Sequence, residues 1–124
     1  MNKLAITLAA GIALAAAGTA GTASAQAASG EQLFKQRCAV CHTVTPKSGP
    51  MAPTLAGVVG RKAGSAAFPS YSPALKGASV VWTKANLDNF LTNPTGLVPG
   101  TRMVTRVPDA AERAALIGYL ATVK

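Results

Sequence analysis

One five-residue run constrains this chain more than any other feature: Cys38-Ala39-Val40-Cys41-His42. It holds both cysteines and the single histidine of the 124 residues. Several chemistries use two thiols at this spacing. In an oxidising compartment a cysteine pair usually becomes a disulfide, but that leaves the adjacent imidazole unexplained. A thioredoxin-like redox pair calls for a βαβ context, and alternation of the strand kind is scarce here. A zinc site needs two further ligands, and the chain has no other Cys or His. Read whole, C-x-x-C-H is the attachment signature of a c-type haem. The two thiols add to the two vinyl groups along one edge of the ring. The next residue, His42, then lies beneath the iron. With no second histidine, the opposite axial position falls to methionine, water, lysine or another group.

The rest of the chain is consistent with a fold wrapped around a large cofactor. Its length allows one small domain. Such domains have little stability margin, and this one is rich in Gly and Ala and poor in aromatics. The first 25 residues read as an export signal. Lys3 gives the positive start, Leu4 to Ala17 is an uncharged apolar run, and Ala23-Ser24-Ala25 is a cleavage site of the A-x-A kind. The alternative is a retained membrane anchor, for which the apolar run is short against the ~20 residues of a span. Cleavage leaves a domain of residues 26–124, with Met51 and Met103 as the remaining methionines. It also leaves eleven basic side chains against four acidic ones, a net charge of +7.

Three helices joined by long loops are expected. Ser29 and Gln32 have the spacing of a capping box, and Leu33, Phe34 and Arg37 continue the pattern toward Cys38. Residues 43–67 are rich in Gly, Pro, Ser and Ala and read as loop. Leu87, Phe90 and Leu91 put an apolar face on a helix over 84–92, which Asn93-Pro94 ends. Residues 96–107 read as a second loop. Pro108 suits the first turn of a last helix, with Asp109 and Glu112 at its positive end and Lys124 at its negative end. On that helix Ala110, Ala114, Ile117 and Ala121 form one stripe, and Leu116, Leu120 and Val123 a neighbouring one. Loops this long in so small a domain need something to wrap around.

Further motifs along the chain resemble those of class I cytochromes c, from about Gly30 to Leu120. Gly30 and Phe34 stand eight and four residues before Cys38. The proline-to-arginine stretch runs from Pro53 to Arg61. Tyr71-Ser72-Pro73-Ala74, Trp82, the methionine loop from Asn93 to Met103, and Leu116-Ile117-Gly118-Tyr119-Leu120 follow in order. Four departures stand out: Phe90 where many relatives carry tyrosine, Leu75 for a frequent asparagine, Thr95-Gly96 for a lysine pair, and a segment from Ala66 to Ser70 that fits only with a small shift.

The resemblance implies an all-α class I cytochrome c fold. Its N- and C-terminal helices would cross near Gly30, with Phe34, Leu116 and Tyr119 around the contact. It implies one haem c per chain, bonded to Cys38 and Cys41, with His42 and Met103 as axial ligands. A thioether suits reduced iron, and His/Met ligation raises the potential. Met51 is the rival ligand, but it stands just before Pro53 and so falls on the histidine side. Pro53 matches the residue whose carbonyl orients the histidine. Arg61, Tyr71 and Trp82 match donors to the haem propionates. Thr101 bonds a propionate or backbone in the methionine loop.

The implied function is one-electron, outer-sphere transport between respiratory or other periplasmic redox partners, without catalysis. A cytochrome subunit of a larger oxidoreductase, then a haem peroxidase, are the competing readings. No nucleic-acid motif accompanies the positive charge, and the basic residues are scattered. Arg37 and Arg102, with Lys47 and Arg106, are expected to ring the haem edge and steer an acidic docking face. A periplasmic monomer, with no stable membrane insertion after signal cleavage, is the resulting expectation.

Overall fold

The computed structural model describes residues 29–124, together with the isolated positions 11, 13 and 18. Apart from those three positions, the expected export signal lies outside the described residues. Five helical segments follow one another: α1 (Gly30–Arg37), α2 (Pro73–Lys76), α3 (Lys84–Thr92), α4 (Pro94–Leu97) and α5 (Ala110–Leu120). Among the described residues, extended pairing is limited to an isolated antiparallel bridge between Lys62 and Val81. The fold is all-α.

α1 starts where its capping box predicts. The Ser29 hydroxyl accepts from the Gln32 amide at 3.2 Å, and the Gln32 side chain accepts from the Ser29 amide at 3.0 Å. Two of the four orphan amides of the first turn are thereby satisfied. α1 buries Leu33 and Phe34, and α5 buries Leu116, Ile117 and Leu120. The two helices pack directly together, and the Phe34 and Tyr119 rings continue the contact at 5.7 Å between centroids. Gly30 permits this approach. A Cβ there would lie 2.0 Å from the Ala115 carbonyl oxygen and 2.7 Å from Tyr119 Cβ. α3 presents Leu87, Phe90 and Leu91 to the core and packs on both α4 and α5.

The structure corrects four expectations. The helices are five because α2 and α4 are single turns, each opening on a proline. One turn is too short to show a 3.6-residue period, while proline at the first helical position fits without loss of a bond. α4 therefore occupies the start of what reads as loop. Pro108 lies outside the last helix, whose N-cap is Asp109 with its carboxylate accepting from the Glu112 amide at 2.8 Å. A helix starting at Pro108 would be capped by Val107, which has no side-chain acceptor. Of the alanine stripe on α5 only Ile117 is buried, while Ala110 and Ala114 are exposed. Burial follows the large side chains, since a methyl group contributes little on leaving water.

Between α1 and α3 the backbone is held by scattered bonds. Around the Lys62–Val81 bridge, Gly60 donates to Trp82, Trp82 to Arg61 and Ala63 to Val80, each at 2.8 Å. This short pairing brings Arg61 and Trp82 side by side. The buried Thr54 hydroxyl accepts from the Ala56 amide at 3.0 Å and donates to the Thr45 carbonyl, folding residues 43–56 onto themselves.

Candidate haem site

α1 does not stop cleanly at Arg37. Cys38 caps it, donating to Phe34, and the chain tightens so that Cys41 and His42 both donate to the Cys38 carbonyl at 3.1 and 2.9 Å. The turn delivers both sulfurs and the imidazole to one wall of a chamber of about 360 Å³. That volume falls in the range of ligand sites, ~300–1,000 Å³. Leu87, Phe90 and Leu91 of α3 and Leu116 and Leu120 of α5 form much of its apolar wall.

All nine residues that the sequence nominates line this one chamber: Cys38, Cys41, His42, Pro53, Arg61, Tyr71, Trp82, Thr101 and Met103. Cys38 and Cys41 are half-buried and not joined to each other. His42 Nδ1 lies 2.7 Å from the Pro53 carbonyl oxygen. A carbonyl only accepts, so Nδ1 carries the proton and Nε2 keeps its lone pair. Burial lowers the His42 pKa; the Pro53 bond opposes this, and Arg61 adds to the lowering. The neutral imidazole is the form that ligates a metal. Burial pushes the Cys38 thiol up, against the pull of neighbouring Arg37.

Arg61 binds the carbonyls of Ala56 and Thr54, both at 2.8 Å, through its two terminal nitrogens. Its Nε is buried with no partner in the protein. Burial lowers its pKa, and Tyr71 partly offsets that, yet a guanidinium remains charged at neutral pH. Tyr71 is raised by burial, against Arg61 and a bond to the Ala66 backbone. A desolvated donor with an unused N–H, beside a tyrosine and a buried tryptophan, suits a buried carboxylate. Thr101 is buried, and its hydroxyl accepts from the Met103 amide at 3.3 Å. Met103 is half-buried on the lining, whereas Met51 is 67% exposed at its mouth.

The basic ring is less regular than expected. Arg37 and Arg102 line the chamber, but Arg37 is paired with Glu112 at 2.8 Å, and Lys47 and Arg106 lie off the lining. Val107 and the Arg113–Asp88 pair carry no signal in the sequence. Val107 is an isolated valine among polar residues, and Arg113 reads as an ordinary helix-surface charge.

A helical shell around one apolar chamber, walled by two thiols and a neutral imidazole and holding an unsatisfied guanidinium N–H, defines a small haem-carrying protein. The residues present fit a c-type haem. Comparison with known proteins agrees. The family model for cytochrome c matches residues 27–124. Cytochrome c2 of Rhodomicrobium vannielii is 44% identical over 117 residues, 90% of this chain and 93% of its own. Cytochrome c type-1 of Ascaris suum is 46% identical over 93 residues, 74% of this chain and 83% of its own. The solved structure of cytochrome cH from Methylobacterium extorquens superposes with a TM-score of 0.69 at 41% identity, covering 75% of this chain and 94% of that one.

The chain belongs to the cytochrome c family. It is an electron carrier and not an enzyme, it takes one covalently attached c-type haem, and it acts with redox partners. Among the described residues no helix is long and apolar enough to cross a membrane.

Proposed function

We propose that Cys38 and Cys41 would bond the haem as thioethers and that His42 and Met103 would ligate its iron. Pro53 fixes the His42 ring, while Arg61, Tyr71 and Trp82 hold the propionates. Thr101 supports the Met103 backbone. The observation that carries this reading is the His42–Pro53 contact, which leaves Nε2 free to ligate in the chamber that both thiols and Met103 also line. Bound, the haem supplies one-electron exchange between ferric and ferrous iron. The protein's part is to keep water away and to hold its ligating and donating groups still, so that little rearranges between redox states.

Attachment tests the reading at its base. The haem is expected to stay on the polypeptide through denaturation and acid–organic extraction. Cys38→Ala with Cys41→Ala abolishes that retention. Free extraction of haem from the matured, unaltered protein would overturn the assignment of the thiols.

The export reading of residues 1–25 places the mature protein in the periplasm as a soluble monomer. Its partners dock at the chamber mouth. The charged side chains lining the chamber are Arg37, Arg61 and Arg102, with no carboxylate among them, and exposed Val40, Met51 and Val104 lie on the same lining. Among the described residues Arg37 is paired with Glu112 and Arg61 is turned inward, so Arg102 is the free cation edging this apolar centre. Such an arrangement suits a redox protein with an acidic docking face. Charge screening acts over about 8 Å at physiological ionic strength. The bimolecular electron-transfer rate is therefore expected to fall as salt rises. Arg102→Glu should flatten that dependence in protein whose Met103 ligation is intact. A rate indifferent to salt would make the +7 a general surface property.

A further inference from the structure

Met103 sits in a segment of irregular backbone, residues 98–108, that hangs between α4 and α5. The upstream end is a turn. Thr101 donates to the Val98 carbonyl at 3.1 Å around Pro99-Gly100, where Gly100 has φ +89°. The hydrogen bond and the positive φ at the third position are those of a type II turn. Arg102 adds a bond to the Ser70 carbonyl at 3.0 Å. Beyond Met103 the backbone loses support. Among the described residues the amides of Val104, Thr105 and Arg106 have no protein acceptor, and all three residues are exposed.

Support resumes at Val107. Its amide donates to the Leu91 carbonyl of α3 at 2.8 Å. Its own carbonyl, and that of Pro108, accept from one terminal nitrogen of Arg113 at 3.0 and 2.8 Å. Arg113 Nε is bonded to Asp88 Oδ1 at 2.7 Å. The Arg113 side chain is 11% exposed and Asp88 45%. One planar guanidinium on α5 thus grips the downstream end of the segment while a carboxylate on α3 sets its plane.

We propose that Arg113, aimed by Asp88, is a positioning residue for Met103. This rests on the reading of Met103 as an axial ligand. Residues 104–106 add no backbone bond of their own, so beyond the packing of Met103 against the core the two ends of the segment define where the thioether sits. Val107 is the nearer downstream anchor, four residues from the sulfur-bearing position. A neutral, unforked side chain at 113 leaves two carbonyls and the Asp88 carboxylate without their donor, and the segment opens more often. Charge-assisted bonds of this kind are about twice as strong as neutral ones, so their loss is felt in the opening equilibrium.

Added imidazole measures that equilibrium in the ferric haem protein. It enters only when Met103 leaves, so its apparent dissociation constant falls as the open fraction rises. Arg113→Gln is expected to bind imidazole about tenfold more tightly than unaltered protein, and Asp88→Asn about threefold, by the same relation. Lys84→Gln, which removes one positive charge as Arg113→Gln does but at the start of α3, should change nothing. Helix unfolding followed by circular dichroism separates positioning from plain structural support. A structural role lowers the unfolding midpoint without changing imidazole affinity under conditions where every variant is folded. Asp88 is half exposed, so Asp88→Asn keeps the test usable if Arg113→Gln folds poorly. A methionine-to-iron charge-transfer band in unaltered protein, with imidazole affinity unmoved in the folded variants, overturns the clamp alone. Absence of that band from unaltered protein overturns the ligand reading and the clamp with it.

Discussion

Replacing Gly30 by valine is expected to destabilise the haem-loaded protein by about 3 kcal/mol or more, at or beyond the upper end of ordinary overpacking. The atom such a side chain would meet first is the Ala115 carbonyl oxygen, 2.0 Å from an ideal Cβ, with the carbonyl carbon and Tyr119 Cβ both at 2.7 Å. Two of those three are backbone atoms, so no rotamer change relieves the clash. α1 and α5 must move apart, loosening the Phe34–Tyr119 contact and the wall that Leu116 and Leu120 give the chamber. Gly118→Ala is the matched opposite. It lies in α5, is exposed, and a Cβ there meets nothing within 4 Å. Helix propensity alone then operates, and it should stabilise by roughly 0.5–1 kcal/mol. Denaturant midpoints of the two variants, at an unchanged slope, check both signs. Equal effects at the two glycines would contradict a close crossing at Gly30.

Met103→Ala is expected to lower the reduction potential by roughly a few hundred millivolts, a fraction of the ~0.8 V that axial ligands span. The thioether is a soft donor that favours reduced iron. Water or a harder ligand in its place favours the ferric state. The same change opens the iron to carbon monoxide and peroxide. Met51→Leu should do neither, since Met51 is exposed at the chamber mouth and follows the histidine-side turn. Potentiometry on both variants separates the two methionines. A normal potential in Met103→Ala would remove Met103 from the iron.

Much of this architecture is legible because its signals are local. The Ser29–Gln32 box, the period of Leu87, Phe90 and Leu91, and the Cys38–His42 run each need only their own few residues. The ordered matches from Pro53 through Trp82 to Met103 added the lining that no single window contains. What escaped depends on distant partners or on lengths too short for a pattern. α2 and α4 are single turns. The cap at Asp109 follows from a competition with Pro108 that the sequence leaves undecided. Arg37 reads as a free cation beside the attachment motif, but its neutralising partner Glu112 lies 75 positions away on α5. Arg113 looks like a solvated helix charge until the fold sets Asp88 and two carbonyls around it.

The proposed ligand set, His42 with Met103, would leave the iron no open position. Visible and far-red absorption of the unaltered protein in both redox states, repeated under carbon monoxide, reads that ligand set. A weak far-red band of methionine-to-iron charge transfer is expected in the oxidised protein. The reduced spectrum is expected to stay unchanged under carbon monoxide at neutral pH. Rapid carbon monoxide binding by the reduced protein, with no far-red band in the oxidised one, would remove Met103 from the iron.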